Sequence, residues 1–103
     1  MQATLLELTA ISCINELQRL APDAVELIVC GGGAYNTQLM QRLQALAPNV
    51  PVHSSEARGI APLQVEAAAF AWLARQCLSN LPGNLPSVTG AKGDRVLGAI
   101  YPA

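Results

Sequence analysis

The sequence predicts an α/β domain in which parallel strands are joined by helices. Apolar residues recur at helical spacing in three segments, and two short runs of β-branched and aliphatic residues lie between these segments. The resulting order is helix, strand, helix, strand, helix, followed by an extended tail. Strands that are connected through helices pair in parallel, with right-handed crossovers.

The first helix is predicted over residues Ala3 to Leu20. Thr4 and Glu7 have the spacing of a capping box at its start, and Pro22 disfavours helical geometry at the residue before it. Apolar residues at steps of four and three predict one core-facing stripe, which consists of Leu6, Ala10, Cys13, Leu17 and Leu20.

The segment from Val25 to Asn36 reads as a buried strand, a glycine turn and the start of a second helix. Val25 to Cys30 form the strand, and the three glycines that follow have no Cβ atoms, so their backbone can lie flat against a ligand. Asn36 is predicted to cap a helix from Thr37 to Ala47. The first N–H groups of that helix point back at the turn, where an anion or a polarised nucleotide group can bind.

Two interpretations of the glycine turn stay open on the residues alone. The dinucleotide fingerprint needs glycines at its first, third and sixth places, but Asn36 stands at the sixth, and no Walker lysine follows. A tight strand-to-helix turn is therefore as good an interpretation as a nucleotide contact. A ligand would bind at the carboxyl ends of the parallel strands.

The middle of the chain continues the alternation of helix and strand. The second helix has a core-facing stripe of Leu39, Leu43 and Leu46, flanked by Met40 and Ala47. Val50 to Ser54 is the predicted second strand, and Ser55 to Ala61 is a loop in which Gly59 is the flexible point.

The third helix is predicted from Pro62 to Leu78, with proline in its first turn. It is apolar almost all round, so burial on several sides is expected, with Phe70 and Trp72 in the core. The tail from Asn80 to Ala103 is predicted to be extended and not helical, with Arg95 to Tyr101 as a last strand.

Composition limits the classes of function. Hydrophobic residues make up 51% of the 103-residue chain and charged residues 13%, against about 25% charged in an average chain. Together with a sheet of only two strands, this predicts a piece of something larger. The net charge of −1 argues against nucleic-acid binding. No uninterrupted apolar run approaches the ~20 residues of a membrane span.

The cysteines indicate a cytoplasmic protein. Cys13, Cys30 and Cys77 lie among apolar neighbours, and the odd number and absence of a CxxC motif predict buried, reduced thiols. The N-terminus has no signal-peptide pattern.

Glu66 is a candidate functional carboxylate. It shares a predicted helical face with Phe70, Leu73 and Cys77, where an unpaired buried charge is costly. It either faces a polar cleft or is an acidic residue favoured by the helix dipole. His53 is interpreted as a surface strand residue without ligand partners, so no metal site is predicted, and no nucleophile, base and orienting residue can be assembled.

The motifs together resemble a known family. VCGGGAYN at 29–36 and LMQRL at 39–43 are similar to the adenosine-contacting segment of actin-like sugar kinases. VEAAAFAWLA at 65–74, GNLPSVTGA at 83–91 and LGAIYP at 97–102 resemble the C-terminal end of the anhydro-N-acetylmuramic acid kinases. The resemblance covers nearly the whole chain from Val25 onward, and the tail motif makes it specific.

The resemblance implies a fold, a reaction and a site. Such kinases use ATP, Mg²⁺ and water to open the 1,6-anhydro ring of anhydro-N-acetylmuramic acid and to phosphorylate O6, in bacterial cell-wall recycling. They are homodimers with two actin-like lobes on ribonuclease H-like sheets. The matching positions are Gly31, Gly32, Gly33 and Asn36 for the nucleotide, and Glu66 for the sugar or the attacking water.

The chain departs from the family in what it lacks. On this resemblance, residues 1–103 form a single partial domain, the C-terminal portion of the second lobe, without the first phosphate loop and the aspartate that acts as general base. The remainder of the kinase is then its partner, and the fragment is expected to be inactive. The alternatives are a non-catalytic nucleotide-binding or assembly module, or an unrelated cofactor-binding α/β domain.

Overall fold

The computed structural model describes residues 2–103, which form two compact units. The first unit extends to Val65 and the second runs from Glu66 to Ala103. The helices are α1 (Gln2–Leu20), α2 (Thr37–Leu46), α3 (Pro62–Leu78) and α4 (Pro86–Thr89), and the strands are β1 (Leu27–Val29) and β2 (Val52–Ser54). Two 3₁₀ helices, Gly32–Tyr35 and Ser55–Arg58, follow the strands.

The sheet of the first unit consists of β1 and β2 in parallel. Leu27 lies opposite Val52 and Val29 lies opposite Ser54. This confirms the predicted α/β class with parallel strands. Both strands are shorter than predicted: Val25, for example, is 85% exposed and lies outside β1.

The core of the first unit lies between α1, α2 and the sheet. Four hydrophobic residues form its buried centre, namely Ala10, Ile14, Leu43 and Ala47. Partly buried residues of α1, α2 and both strands pack against them, including Leu17, Leu39, Met40, Leu46 and Val52. The predicted stripe of α2 is therefore confirmed.

The stripe predicted for α1 is partly wrong. Cys13 and Leu20 are exposed, whereas Ile14 is buried with 3% exposure. The core-facing residues are Ala10, Ile14 and Leu17, at steps of four and then three, so Ile14 and not Cys13 points inward.

The capping box at the start of α1 is also wrong. Thr4 lies inside the helix, which already includes Gln2. The Glu7 carboxylate accepts two hydrogen bonds from Arg42 of α2. Two charge-assisted hydrogen bonds to a guanidinium are stronger than the single bond to a backbone N–H that a capping box would give this carboxylate.

Gln44 fixes the connection from α2 to β2. Its side-chain Nε2 donates to the carbonyl oxygens of Ala47 and Val50, at 3.0 and 3.1 Å. Its Oε1 accepts from the N–H of Val52 at 2.9 Å. One amide side chain thus satisfies three backbone groups at the entrance to β2.

The second unit contains most of α3 and the tail. The bounds of α3 match the prediction, but its burial on several sides is wrong, because Phe70 is 63% and Trp72 52% exposed. The tail comes close to α3 at two glycines: a Cβ built on Gly83 would lie 2.9 Å from Cδ2 of Leu73, and one on Gly98 would lie 3.3 Å from Sγ of Cys77.

The tail is held by local hydrogen bonds and not by strand pairing. Asn84 Nδ2 donates to the Gly93 carbonyl, and Asn84 Oδ1 accepts from the Arg95 N–H at 2.7 Å. The predicted last strand at 95–101 is wrong, since these residues are not in a strand. The tail also contains the one-turn helix α4, where Pro86 occupies the first turn and Gly90 ends the helix at φ 75°.

Two further expectations concern the thiols and the membrane. Cys13, Cys30 and Cys77 are free thiols, but Cys13 and Cys30 are exposed, so their predicted burial is wrong. Among residues 2–103, no helix combines the length and the apolar character that crossing a bilayer requires.

Candidate nucleotide site

The three glycines lie at the carboxyl end of β1, as predicted. Gly31 has φ 77° and ψ −177°, a conformation that is essentially restricted to glycine. Its N–H donates to the Pro62 carbonyl at 2.9 Å, which fixes the start of the turn. Gly32 and Gly33 then begin the 3₁₀ helix that leads into α2.

The surface of the turn is open. A Cβ atom built on Gly31 or Gly32 meets no other atom within 4 Å, and one built on Gly33 meets only Leu39 Cδ2 at 3.4 Å. The N–H groups of Gly32 and Gly33 donate no hydrogen bond within residues 2–103. The chain therefore presents bare main-chain donors here, and none of its described side chains plugs the bend.

Asn36 caps α2, as the sequence predicted. Its Oδ1 accepts from the N–H of Leu39 at 3.1 Å, and its backbone carbonyl accepts from Met40. The N–H groups of Thr37 and Gln38 have no partner within the described residues. The amino terminus of a ten-residue helix therefore opens beside the glycine turn, where its dipole favours negative charge.

The 3₁₀ helix after β2 begins at the same edge of the sheet. The register places Ser54 opposite Val29, so Ser55 follows at the level of the glycine turn. Ser55 is 4% exposed, and its hydroxyl has no hydrogen-bond partner within residues 2–103. Arg58, the last residue of this 3₁₀ helix, pairs with Glu26, which directly precedes β1. Sequence reasoning missed Ser55, although a serine directly after a parallel strand is a usable signal.

A groove of about 380 Å³ lies between the first turns of α1 and the start of α2. Its lining comprises Gln2, Leu5, Leu6, Thr9, Asn36, Gln38 and Leu39. Asn36 thus belongs both to the cap of α2 and to this groove. Nothing in the local pattern of α1 singles out these residues, because only the packing of α1 beside α2 forms the groove.

Glu66 lies in the second unit, of which it is the first residue. Its side chain is exposed and makes no ion pair or hydrogen bond within residues 2–103. The structure therefore brings Gly31, Gly32, Gly33 and Asn36 together in one unit, whereas the role of Glu66 stays a prediction.

A larger groove, of about 520 Å³, lies within the second unit. It is lined by apolar groups and one thiol, among them Phe70, Cys77 and Ile100. It offers no charged or amide side chain and contains none of the predicted site residues. A polar ligand such as a nucleotide or a sugar is better matched by the glycine turn.

An ion pair between Glu7 and Arg42 joins α1 to α2 in the first unit. Hydrogen bonds with Arg42 lower the pKa of the Glu7 carboxyl, and the same contact raises the pKa of Arg42. Within residues 2–103, no three potential metal ligands of the His, Cys, Asp or Glu type lie together. The described part of the chain thus offers main-chain donors and neutral amides, not a metal cluster.

Comparison with known proteins gives one consistent result. A family model for anhydro-N-acetylmuramic acid kinase matches residues 1–103. Proteins of that name from Albidiferax ferrireducens and Variovorax paradoxus are each 61% identical over 102 residues, and one from Pseudomonas syringae pv. syringae is 59% identical. These matches cover 99% of this chain but 26%, 27% and 28% of the respective relatives. The chain therefore spans about a quarter of the length of these relatives.

Proposed function

Because the chain belongs to the anhydro-N-acetylmuramic acid kinase family, we propose that it forms a nucleotide-binding part of such a kinase. The reaction would consume ATP, water and 1,6-anhydro-N-acetylmuramic acid. Water opens the anhydro ring, O6 accepts the terminal phosphoryl group, and N-acetylmuramic acid 6-phosphate and ADP are released. The single observation that carries the proposal is the open glycine turn at the carboxyl end of β1.

The glycine turn binds the nucleotide through its main chain in this proposal. The N–H groups of Gly32 and Gly33 are free of internal hydrogen bonds, and no side chain separates them from a ligand. Gly31 holds the bend in its positive-φ conformation, and Asn36 fixes the start of α2. Main-chain donors next to a helix amino terminus favour an anionic or strongly polarised group.

Glu66 is assigned to the sugar side of the site. Its carboxylate has free acceptor oxygens, because it makes no internal ion pair or hydrogen bond within the described residues. Two carboxylate oxygens suit hydrogen bonds to sugar hydroxyls or to the attacking water. Its role in the proposal is to hold these groups, not to abstract a proton unaided.

Mg²⁺ would accompany the phosphates of ATP. This ion commonly keeps several waters and takes one or two carboxylates together with phosphate oxygens. The turn supplies N–H donors, which do not ligate a cation, so we assign no magnesium ligand to residues 2–103.

We further propose that residues 1–103 form the C-terminal portion of the second lobe, on a ribonuclease H-like sheet, in a cytoplasmic homo-oligomeric enzyme. The remainder of such a kinase would supply the phosphate loop and the general base. Phosphoryl transfer depends on positioning and charge stabilisation by several such groups, so the 103-residue chain alone is expected to be inactive. A coupled assay with ATP and the anhydro sugar tests this, and a rate near that of a full-length relative would contradict it.

Nucleotide binding is tested by titrating ADP into the ¹⁵N-labelled chain. The expected result is a set of saturable amide shifts at residues 31–36. The competing possibility is an assembly module that binds no nucleotide. Absence of any shift at millimolar ADP would favour that module over our proposal.

A further inference from the structure

We infer that α3 is enclosed from two opposite sides by the part of the kinase that lies outside these 103 residues. This inference rests on the proposed function in one respect, since it takes the chain to be a piece of a longer kinase. It adds an interaction surface in the second unit, formed by α3 from residue 66 onward and by the end of the tail.

The middle of α3 exposes apolar groups on opposite faces. Phe70 is 63% and Trp72 52% exposed. The two residues lie about 200° apart around the helix, because each residue of an α-helix turns it by about 100°. All residues from 66 to 72 are exposed, and between residues 67 and 78 the only charged side chain is that of Arg75. A helix that is apolar almost all round is normally buried on several sides.

The Phe70 side of the helix forms one wall of the apolar groove of about 520 Å³. The end of the tail, residues 97–100, forms the other wall. The N–H groups of Leu97, Ala99 and Ile100 donate no hydrogen bond within residues 2–103. The groove therefore offers apolar side chains together with unsatisfied main-chain donors, and a docking segment with apolar side chains and free carbonyl groups matches both.

The Trp72 side of the helix needs a separate cover. Trp72 does not line the groove, so a segment that fills the groove leaves it exposed. A second copy of the chain that docks through one face covers either Phe70 or Trp72, but not both. The chain covers 26% of the Albidiferax ferrireducens relative and 27% of the Variovorax paradoxus relative, so about three quarters of such a kinase is available to surround the helix.

The chemistry of α3 determines the chemistry of the surface that covers it. Phe70, Leu78 and Ile100 line the groove and are 63%, 74% and 61% exposed, so an apolar surface gains stability by removing them from water. A charged surface would lose its hydration without finding an opposite charge, because the groove has no charged side chain. The remaining kinase therefore presents an apolar surface to α3.

The test uses the rest of the Variovorax paradoxus relative, meaning its residues outside the matched segment, as the partner. The 103-residue chain is labelled with 5-fluorotryptophan, so that Trp72, its only tryptophan, gives one ¹⁹F signal. The unlabelled partner is expected to form a complex in which this signal shifts and no longer differs between H₂O and D₂O, as for a buried indole. If the partner is insoluble by itself, co-expression with the chain should recover both in one soluble complex.

Phe70→Asp tests the groove side of the helix. A carboxylate that is buried without a partner is costly, so this variant should weaken the complex about tenfold or more. Leu8→Asp is its control, because Leu8 is 61% exposed and belongs to α1 of the first unit. It should bind the partner like the unmodified chain. Both variants should keep the urea midpoint of the unmodified chain, since both replaced side chains are exposed.

Several results would contradict the inference. If the partner binds without moving the Trp72 signal, or is not recovered with the chain even on co-expression, α3 is not enclosed. Equal weakening by Phe70→Asp and Leu8→Asp would remove the special role of the groove. A dimer of the chain alone that Phe70→Asp dissociates, and that the partner does not replace, would assign the groove to a second copy.

The ADP titration separates this inference from the proposed nucleotide binding. If ADP shifts residues 31–36 but the partner does not bind, the inference is wrong while nucleotide binding stands. If the partner buries Trp72 but ADP causes no shift, the inference stands and nucleotide binding by the chain is wrong.

Discussion

Glu7 of α1 and Arg42 of α2 form a two-point ion pair across the helix interface. Arg42 Nε lies 2.7 Å from Glu7 Oε2, and Arg42 Nη2 lies 2.7 Å from Glu7 Oε1. The pair joins residues 35 positions apart in the sequence. The hydrogen bonds from Arg42 favour the ionised carboxylate, so the pKa of Glu7 is lowered.

Glu7→Gln is therefore predicted to destabilise the chain in a pH-dependent way. The folded-state pKa lies below the unfolded value, which is about 4.3 for glutamate. The stabilisation is present above that unfolded value and is lost as the pH falls through the folded pKa. The urea midpoint of the variant should be slightly below that of the unmodified chain near neutral pH, and the two should converge in acid.

The control for this prediction is Glu16→Gln. Glu16 pairs with Arg19 inside α1, and its side chain is 57% exposed, compared with 37% for Glu7. Exposed pairs within one helix contribute little. If both variants lower the urea midpoint equally at neutral pH, the Glu7–Arg42 pair contributes no more to stability than an exposed pair within one helix.

Gly31 and Gly32 are predicted to respond differently to a methyl group. Gly31→Ala forces a side chain into positive φ and should lower the free energy of unfolding by about 1–3 kcal/mol. Gly32 has open space and no positive φ, so Gly32→Ala should fold normally. If the main chain of the glycine turn contacts the nucleotide, however, this methyl group should weaken the binding of ADP about tenfold or more. Urea unfolding and ADP titration of both variants measure the two effects, and normal ADP affinity in Gly32→Ala would argue against the contact.

Gln44→Ala is predicted to lower the free energy of unfolding by about 1–3 kcal/mol. The reason is that the carbonyls of Ala47 and Val50 and the N–H of Val52 lose their side-chain partner together. Gln41→Ala removes the same amide from an exposed position of the same helix and should change little. Equal urea midpoints for the two variants would refute the prediction.

Asn84→Ala is predicted to loosen the tail between residues 84 and 95. The variant loses the bonds from Nδ2 to the Gly93 carbonyl and from the Arg95 N–H to Oδ1. Trypsin should then cleave faster after Lys92, which lies inside this loop, because an open loop fits a protease more readily. Ser87→Ala, at an exposed position of the same loop, serves as the control. Unchanged cleavage in Asn84→Ala would mean that other contacts close the loop.

The elements that were predicted correctly from the sequence are those determined by residues close to one another in the chain. Asn36 caps α2 because its side chain reaches an N–H three residues away. Pro62 starts α3 because proline suits a first helical turn. The glycine turn is likewise local, since Gly31 needs a backbone conformation that other residues avoid.

The errors arose where distant residues decide the structure. Glu7 was predicted to cap its own helix, but Arg42, far along the chain, takes its carboxylate. Phe70 was predicted to be buried from its apolar surroundings, yet burial also requires a partner surface. The described tail lies close to Leu73 and Cys77 but leaves Phe70 63% exposed. The groove beside Asn36 needs α1 and α2 together, so no single segment could reveal it.

The pairing of β1 with β2 on one side only has a consequence for amide hydrogen exchange. The N–H of Leu27 points toward β2, where it donates to the Pro51 carbonyl, so alternation along the strand directs the N–H of Ile28 to the opposite side. In the 103-residue chain this proton should exchange rapidly with deuterated solvent. In a longer kinase chain, a slow rate at Ile28 would mark the side of β1 on which the sheet continues.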